Sequence, residues 1–115
     1  MSVGIKIELE EIDQKIVLRI DGRIDAASSS VLERKINKLI DEHRNHLLLD
    51  FSQVDYLSSA GMRVLLASLK RIKAKKGIFG IFSVAEDVSE IIRLAGFDKI
   101  LLIFPNEKEA LQYGS

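Results

Sequence analysis

The stretch that decides the fold is residues 47–62, which read LLLDFSQVDYLSSAGM. Leu47, Leu48 and Leu49 form a short, continuous apolar run, which is typical of a strand buried on both faces of a sheet. The chain then enters a helix, because apolar side chains recur at helical spacing at Met62, Leu65, Leu66, Leu69 and Ile72. A buried strand that leads into an amphipathic helix indicates an α/β protein.

The sequence before this stretch predicts a hairpin. Residues 5–9 and 16–20 both alternate between apolar and polar side chains, which is the period of a half-buried strand. A turn at residues 13–14 joins the two strands, and Asp21-Gly22 ends the second one. The short connection makes this pair antiparallel.

The period becomes helical from Ala26 onward. One face of this helix is apolar and consists of Leu32, Ile36, Leu39, Ile40 and His43. Asp25 or one of the serines at positions 28–30 caps the helix, and Ser30 with Glu33 matches a capping box.

The sequence after the decisive stretch repeats the strand-and-helix pattern. The second helix ends at Gly77, and the third helix is capped by Ser83 with Glu86 and closed by Gly96. Apolar runs at 78–82 and 100–104 predict two more buried strands, and Asn106 with Glu109 opens a last helix. The predicted order is β-β-α-β-α-β-α-β-α. We expect one α/β domain over residues 1–115, with four helices on a mixed, mostly parallel sheet of about five strands.

Composition excludes several classes of protein. The chain has 115 residues, 17 Lys+Arg and 17 Asp+Glu, no cysteine and a formal net charge of zero. Neutrality argues against direct nucleic-acid binding, and an apolar run of only five residues (100–104) predicts no membrane insertion. The absence of cysteine and of a secretory leader pattern predicts a cytoplasmic protein. Nucleotide-binding and hydrolase fingerprints are missing, so we expect no cofactor.

Two charged or metal-binding patterns have simpler interpretations. His43 and His46 form a conceivable metal pair, but a solvated or helix-capping role is favoured because no cysteine accompanies them. A run of cations without an acidic residue follows in the second helix: Arg63, Lys70, Arg71, Lys73, Lys75 and Lys76. This run indicates either an acidic-partner patch or cations that favour the helix C-terminus, and the second interpretation is preferred.

Two adjacent serines, Ser58 and Ser59, stand at the start of the second helix. One serine is enough to cap a helix, so the second serine and Gly61 in the first turn exceed what a cap requires. Glycine destabilises a helix interior by roughly 0.5–1 kcal/mol, which suggests that another group approaches the backbone closely. A helix N-terminus also favours an anion, including a phosphate attached to a serine. A serine esterase is a poor alternative, because neither histidine is placed to act as its base.

Residues 47–51 and 54–66, together with Ile20-Asp21-Gly22-Arg23-Ile24-Asp25, resemble the STAS domain of anti-sigma factor antagonists. The resemblance implies a bacterial, non-enzymatic partner-switching regulator. Such a protein binds an anti-sigma factor that is also a serine kinase. Phosphorylation at the start of the second helix separates the two proteins, and a PP2C-type phosphatase resets the switch. The resemblance places six residues in the partner surface: Asp25, Ser58, Ser59, Ala60, Gly61 and Met62.

This sequence departs from the family pattern at the acceptor position. The family's acceptor hydroxyl directly precedes the glycine, where this chain has Ala60. We therefore expect Ser59 as the phosphorylated residue, with Ser58 behind it, and Asp25, Asp50 and Asp55 nearby. The alternatives are a member that binds its partner constitutively, or a scaffold subunit of a lipid-transport ABC complex or a stress-signalling complex.

Overall fold

The computed structural model describes residues 4–114. Its five strands are β1 (Ile5–Ile12), β2 (Lys15–Ile24), β3 (His46–Leu57), β4 (Ile78–Phe82) and β5 (Leu102–Phe104). Its four α-helices are α1 (Ala26–Asp41), α2 (Ser59–Ala74), α3 (Glu86–Leu94) and α4 (Glu107–Gln112). A 3-10 turn at Phe97–Lys99 separates α3 from β5. The predicted order of strands and helices is therefore confirmed, with this one additional turn.

The strands form a single sheet in the order β1-β2-β3-β4-β5. β1 pairs with β2 antiparallel, and the three other pairs are parallel. This arrangement confirms the predicted mixed, mostly parallel sheet. Parallel neighbours end at the same edge of the sheet. The start of α1, which follows β2, therefore lies next to the start of α2, which follows β3.

The sheet is covered unequally on its two faces. Apolar side chains of α1, α2 and α3 pack with one face in a large cluster that includes Leu32, Leu65 and Ile92. The opposite face carries a small cluster in which Ala110 of α4 packs with Phe82 and its neighbours. α1, α2 and α3, which cover the large cluster, carry apolar stripes. α4, which covers the small cluster, is only six residues long.

β2 and β3 are longer than predicted. The expected break at residues 21–22 is wrong, because β2 continues to Ile24 and pairs with β3 up to Leu57. Register shifts occur on both sides of this point, and Gly22 adopts a φ of 122°. Gly22 therefore forms an irregularity within the strand rather than a turn at its end. Residues 50–57 are likewise strand, although their mixed polarity hides the strand period.

The cap residues predicted for α1 and α4 are confirmed, whereas the predicted capping-box pair of α1 and the predicted cap of α3 are wrong. Asp25 caps α1 with Ser28 as its capping-box partner, so the expected pair of Ser30 and Glu33 is wrong. Asn106 caps α4 by accepting from the Glu109 N–H at 2.9 Å, as expected. α3 begins after Ala85 without a side-chain cap, because Ser83 lies two residues before that position.

Two helix ends and the last strand also differ from expectation. His43 and Lys76, with φ of 64° and 59°, take the left-handed positions after α1 and α2. His43 is therefore exposed rather than on the apolar face of α1. The left-handed position after α2 belongs to Lys76 and not to Gly77. A glycine is required at position 77 because a Cβ there would lie 2.2 Å from the Asn45 carbonyl oxygen. β5 begins only at Leu102, because the N–H groups of Ile100 and Leu101 donate back to the Phe97 carbonyl of the 3-10 turn.

Candidate functional site

The site lies where β2 and β3 end side by side and each strand passes into a helix through one residue. Asp25 is the junction between β2 and α1, and Ser58 is the junction between β3 and α2. Ile24 pairs with Leu57, and the Ser58 N–H donates to the Ile24 carbonyl at 2.8 Å. Two helix N-termini therefore stand next to each other at one edge of the sheet.

Asp25 is fixed as the N-cap of α1. Its Oδ1 accepts from the Ser28 N–H at 2.9 Å, and its own N–H donates to the Ser28 Oγ at 2.8 Å. The hydrogen bond from the Ser28 backbone, supported by the Ser28 hydroxyl, lowers the pKa of Asp25 below its ordinary value. The site thus contains a carboxylate that is held in place and stays ionised at neutral pH.

The two serines at the start of α2 occupy different environments. Ser58 is half-buried, and its Oγ accepts from the Gly61 N–H at 3.1 Å, which makes it the N-cap. Ser59 is the first helical residue and is exposed, and Ala60 behind it is half-buried. Between the two hydroxyls, the Ser59 hydroxyl is the more accessible to another protein.

Gly61 and Met62 lie beneath this surface. A Cβ on Gly61 would lie 2.5 Å from Ile24 Cγ2 and 2.8 Å from Leu57 Cδ1. The group that approaches this glycine closely is therefore the end of β2 and β3 within the same chain. Met62 is 4% exposed and packs in the large cluster, so its side chain supports the site from below.

Replacing Gly61 by alanine tests this packing through the sign of the change in the free energy of unfolding. In a solvated helix the same change stabilises by roughly 0.5–1 kcal/mol. Here we expect a net loss of about 1–2 kcal/mol, because overpacking a filled site costs about 1–3 kcal/mol. Urea unfolding followed by circular dichroism measures the change. An increase in the free energy of unfolding would contradict the close packing of α2 against β2.

Not all of the aspartates predicted to lie near the two serines are close to them. Asp25 is adjacent to Ser58 through the pairing of the two strands, and Asp55 is exposed near the end of β3. Asp50 lies eight strand residues before Ser58, a separation of roughly 25 Å. It binds the Arg19 guanidinium at 3.1 Å instead. The expectation that Asp50 lies beside the serines is wrong.

One feature of the site was missed from the sequence. Arg23 and Tyr56 are cross-strand partners at the ends of β2 and β3, and the Arg23 guanidinium carbon lies 4.3 Å from the Tyr56 ring centroid. Their pairing depends on the register shift next to Gly22. No spacing along the chain reveals such a shift, although an aromatic residue beside two serines was a usable signal.

The histidines and most of the basic run lie away from the site, whereas Arg63 follows Ser59 by one turn of α2. His46 is half-buried, and burial, followed by the charge of Lys15, lowers its pKa. Within residues 4–114 no three or more His, Cys, Asp or Glu side chains are grouped to hold a metal. Arg71 binds Asn37 and Asp41 of α1, at 2.7 Å and 2.9 Å, so one cation of the run stabilises helix packing.

A family model for the STAS domain matches residues 6–110. The chain belongs to the STAS domain family. No helix within residues 4–114 of this STAS chain combines the length and hydropathy needed to cross a membrane.

Curated and solved relatives share nearly the whole STAS chain. BtrV of Bordetella bronchiseptica is 30% identical over 107 residues, which cover 91% of this chain and 90% of BtrV. The anti-sigma F factor antagonist of Paenibacillus polymyxa is 26% identical over 110 residues, covering 95% and 94% of the two chains. The crystal structure of an anti-sigma factor antagonist from Mycobacterium paratuberculosis superimposes with a TM-score of 0.84 at 28% identity, covering 93% of this STAS chain and 91% of that one.

Proposed function

We propose that this chain is an anti-sigma factor antagonist that binds an anti-sigma factor and is switched off by phosphorylation of Ser59. The observation that carries the proposal is an exposed serine at the first position of α2, one residue after the junction that adjoins the end of β2 and Asp25, in a STAS domain. Relatives that match most of the chain are named antagonists of anti-sigma factors. The binding surface consists of Asp25 and the residues Ser58, Ser59 and Ala60, with Gly61 and Met62 beneath them.

Ser59 is the better acceptor because its hydroxyl is free of the capping role. Ser58 Oγ already accepts from the Gly61 N–H, and Ser58 is half-buried. Ser59 is exposed and takes no part in the cap. A kinase therefore reaches Ser59 without disturbing the helix, although Ala60 occupies the position next to Gly61.

A phosphate on Ser59 acts through charge. It brings about −1.5 to −2 charges at neutral pH, next to a carboxylate that is already ionised. The N-terminus of α2 stabilises this charge in the free protein. In a complex the same charge is enclosed by the partner, where desolvation and repulsion from Asp25 oppose binding. Phosphorylation thus favours the separated proteins.

The proposed cycle has two further partners in the same compartment. The anti-sigma factor itself is the serine kinase, and a PP2C-type phosphatase removes the phosphate. The chain acts in the bacterial cytoplasm through binding rather than catalysis, and it influences transcription by releasing a sigma factor. The kinase binds the ATP that donates the phosphate, so the proposed cycle requires no cofactor on this chain.

The test uses the anti-sigma factors encoded by the genome that encodes this chain. Each one is purified and titrated with the full chain by isothermal calorimetry, then incubated with the chain and MgATP. Mass spectrometry of wild type, Ser59→Ala and Ser58→Ala is expected to place one phosphate on Ser59, retained in S58A and absent in S59A. Unfolding curves of both variants verify that each remains folded.

Three results would contradict parts of this proposal. Absence of a complex with every anti-sigma factor would overturn the antagonist function. A complex without phosphate on Ser58 or Ser59 would overturn the switch and leave a constitutive binder. Phosphate that is retained in S59A and lost in S58A would move the switch to Ser58. Removal of the phosphate by a purified PP2C-type phosphatase tests the reset step.

A further inference from the structure

The open face of the sheet next to the two serines carries a stacked pair, Arg23 and Tyr56. Both side chains are exposed, and the guanidinium carbon lies 4.3 Å from the ring centroid. The adjacent residues Ile24 and Leu57 point into the core. Because side chains alternate along a strand, Arg23 and Tyr56 point to the other face, which α4 leaves open at this end.

The backbone of Arg23 is held on both sides. Its N–H donates to the Gly4 carbonyl at 3.0 Å, and its carbonyl accepts from the Ser28 Oγ at 2.5 Å. The side chain is held by the Tyr56 ring. An arginine fixed in this way loses little conformational entropy when it binds a partner, so the stacking favours recognition.

The guanidinium has hydrogen-bonding capacity that the chain does not use. Across residues 4–114, Arg23 takes part in neither an ion pair nor a side-chain hydrogen bond. By contrast Arg19, on the same strand, binds Glu10 at 2.9 Å and Asp50 at 3.1 Å, and also binds Glu107. Arg23 therefore presents its donors outward from a rigid position, and a carboxylate is the group that fits this planar fork.

We propose that Arg23, positioned by Tyr56, is a specificity-determining residue that binds a carboxylate of the anti-sigma factor. This inference rests on the proposed function and extends the partner surface from the helix starts to the open face of the sheet. Tyr56 acts through Arg23 as a positioning residue. The occupant is an Asp or Glu side chain of the partner, since the guanidinium offers five donors and no acceptor.

Calorimetric titration of the anti-sigma factor with variants of the unphosphorylated full chain tests the assignment. Arg23→Ala is expected to weaken binding about thirty-fold, and Arg23→Lys less, because lysine keeps the charge and loses the bidentate geometry. Tyr56→Phe keeps the ring and is expected to bind like wild type. Tyr56→Leu removes the stacking and is expected to weaken binding several-fold, with Arg23 still present.

Matched controls separate recognition from general charge. Arg93→Ala removes another exposed arginine, which pairs with Glu90 in the last turn of α3, and it is expected to change affinity by less than about twofold. Weak binding of Arg23→Glu that is restored by an Asp or Glu to Arg change in the anti-sigma factor identifies the partner carboxylate. Equal effects of R23A and R93A would overturn the inference.

The remaining outcomes distinguish this inference from the function on which it rests. Wild-type binding with unchanged affinity in R23A overturns the Arg23 assignment and leaves the antagonist function standing. Unchanged affinity of R23A is also expected if the Arg23 guanidinium binds the phosphate on Ser59 rather than a carboxylate of the partner. Failure of the wild-type chain to bind any anti-sigma factor overturns the function and this inference together.

Discussion

Replacing Ser59 by glutamate is expected to weaken the complex with the anti-sigma factor at least about thirty-fold, or about 2 kcal/mol. The new carboxylate stands at the first position of α2, one residue after Ser58, whose N–H binds the Ile24 carbonyl directly before Asp25. Like charges brought together in an interface cost several kcal/mol, and glutamate carries about half the charge of a phosphate. Calorimetric titration of the full chain with its anti-sigma factor measures the loss.

Two matched variants show whether position or charge is responsible. Ser59→Ala removes the hydroxyl without adding charge and is expected to change affinity by less than about threefold. Ser89→Glu adds the same charge at an exposed serine in α3 and is expected to bind like wild type. Equal weakening by S59E and S89E would show that net charge, rather than the start of α2, controls binding.

Replacing Gly22 by alanine is expected to lower the free energy of unfolding by about 3 kcal/mol. Gly22 has a φ of 122°, and left-handed backbone costs an L-residue roughly 1–2 kcal/mol. A Cβ there would also lie 2.2 Å from the Gly4 carbonyl oxygen, and relieving such overpacking costs about 1–3 kcal/mol. Urea unfolding gives the change, with an unaltered slope if the compactness of the two states is unaffected.

Gly96 provides the control for the backbone contribution alone. It has a φ of 79°, and a Cβ on it would meet nothing within 4 Å. Gly96→Ala is therefore expected to cost about 1–2 kcal/mol, which is the backbone contribution without the clash. If Gly22→Ala costs no more than Gly96→Ala, the close approach of the Gly4 carbonyl to Gly22 has no energetic consequence.

The sequence predicts the fold well because its helices and buried strands have clear periods. Leu47 to Leu49 and the stripe from Met62 to Ile72 lie in strand and helix as expected. The predicted strand boundaries failed where pairing overrides local pattern. Asp21-Gly22 is typical of a turn, yet the parallel pairing with β3 keeps this dipeptide in the strand. Such pairing is a tertiary effect that local propensity does not contain.

The candidate site was only partly predictable for the same reason. The serines, Asp25 and Gly61 stand out locally, because capping residues and a glycine in a first turn have recognisable patterns. The close packing of Gly61 on Ile24 and the stacking of Arg23 on Tyr56 both require the register between β2 and β3. Asp50 was wrongly placed near the serines because a long strand, not a loop, separates them.

The one-residue junctions at Asp25 and Ser58 fix the rotational phase of the helices that follow them. An α-helix turns by about 100° for each residue, so one inserted residue would rotate the apolar stripe of α1 or α2 away from the sheet. The same insertion would swing Ser59 around the helix axis, away from Asp25. Partner choice on this scaffold is therefore expected to change through substitution at fixed positions. Insertions are expected only in connections that do not lead directly from a strand into α1 or α2.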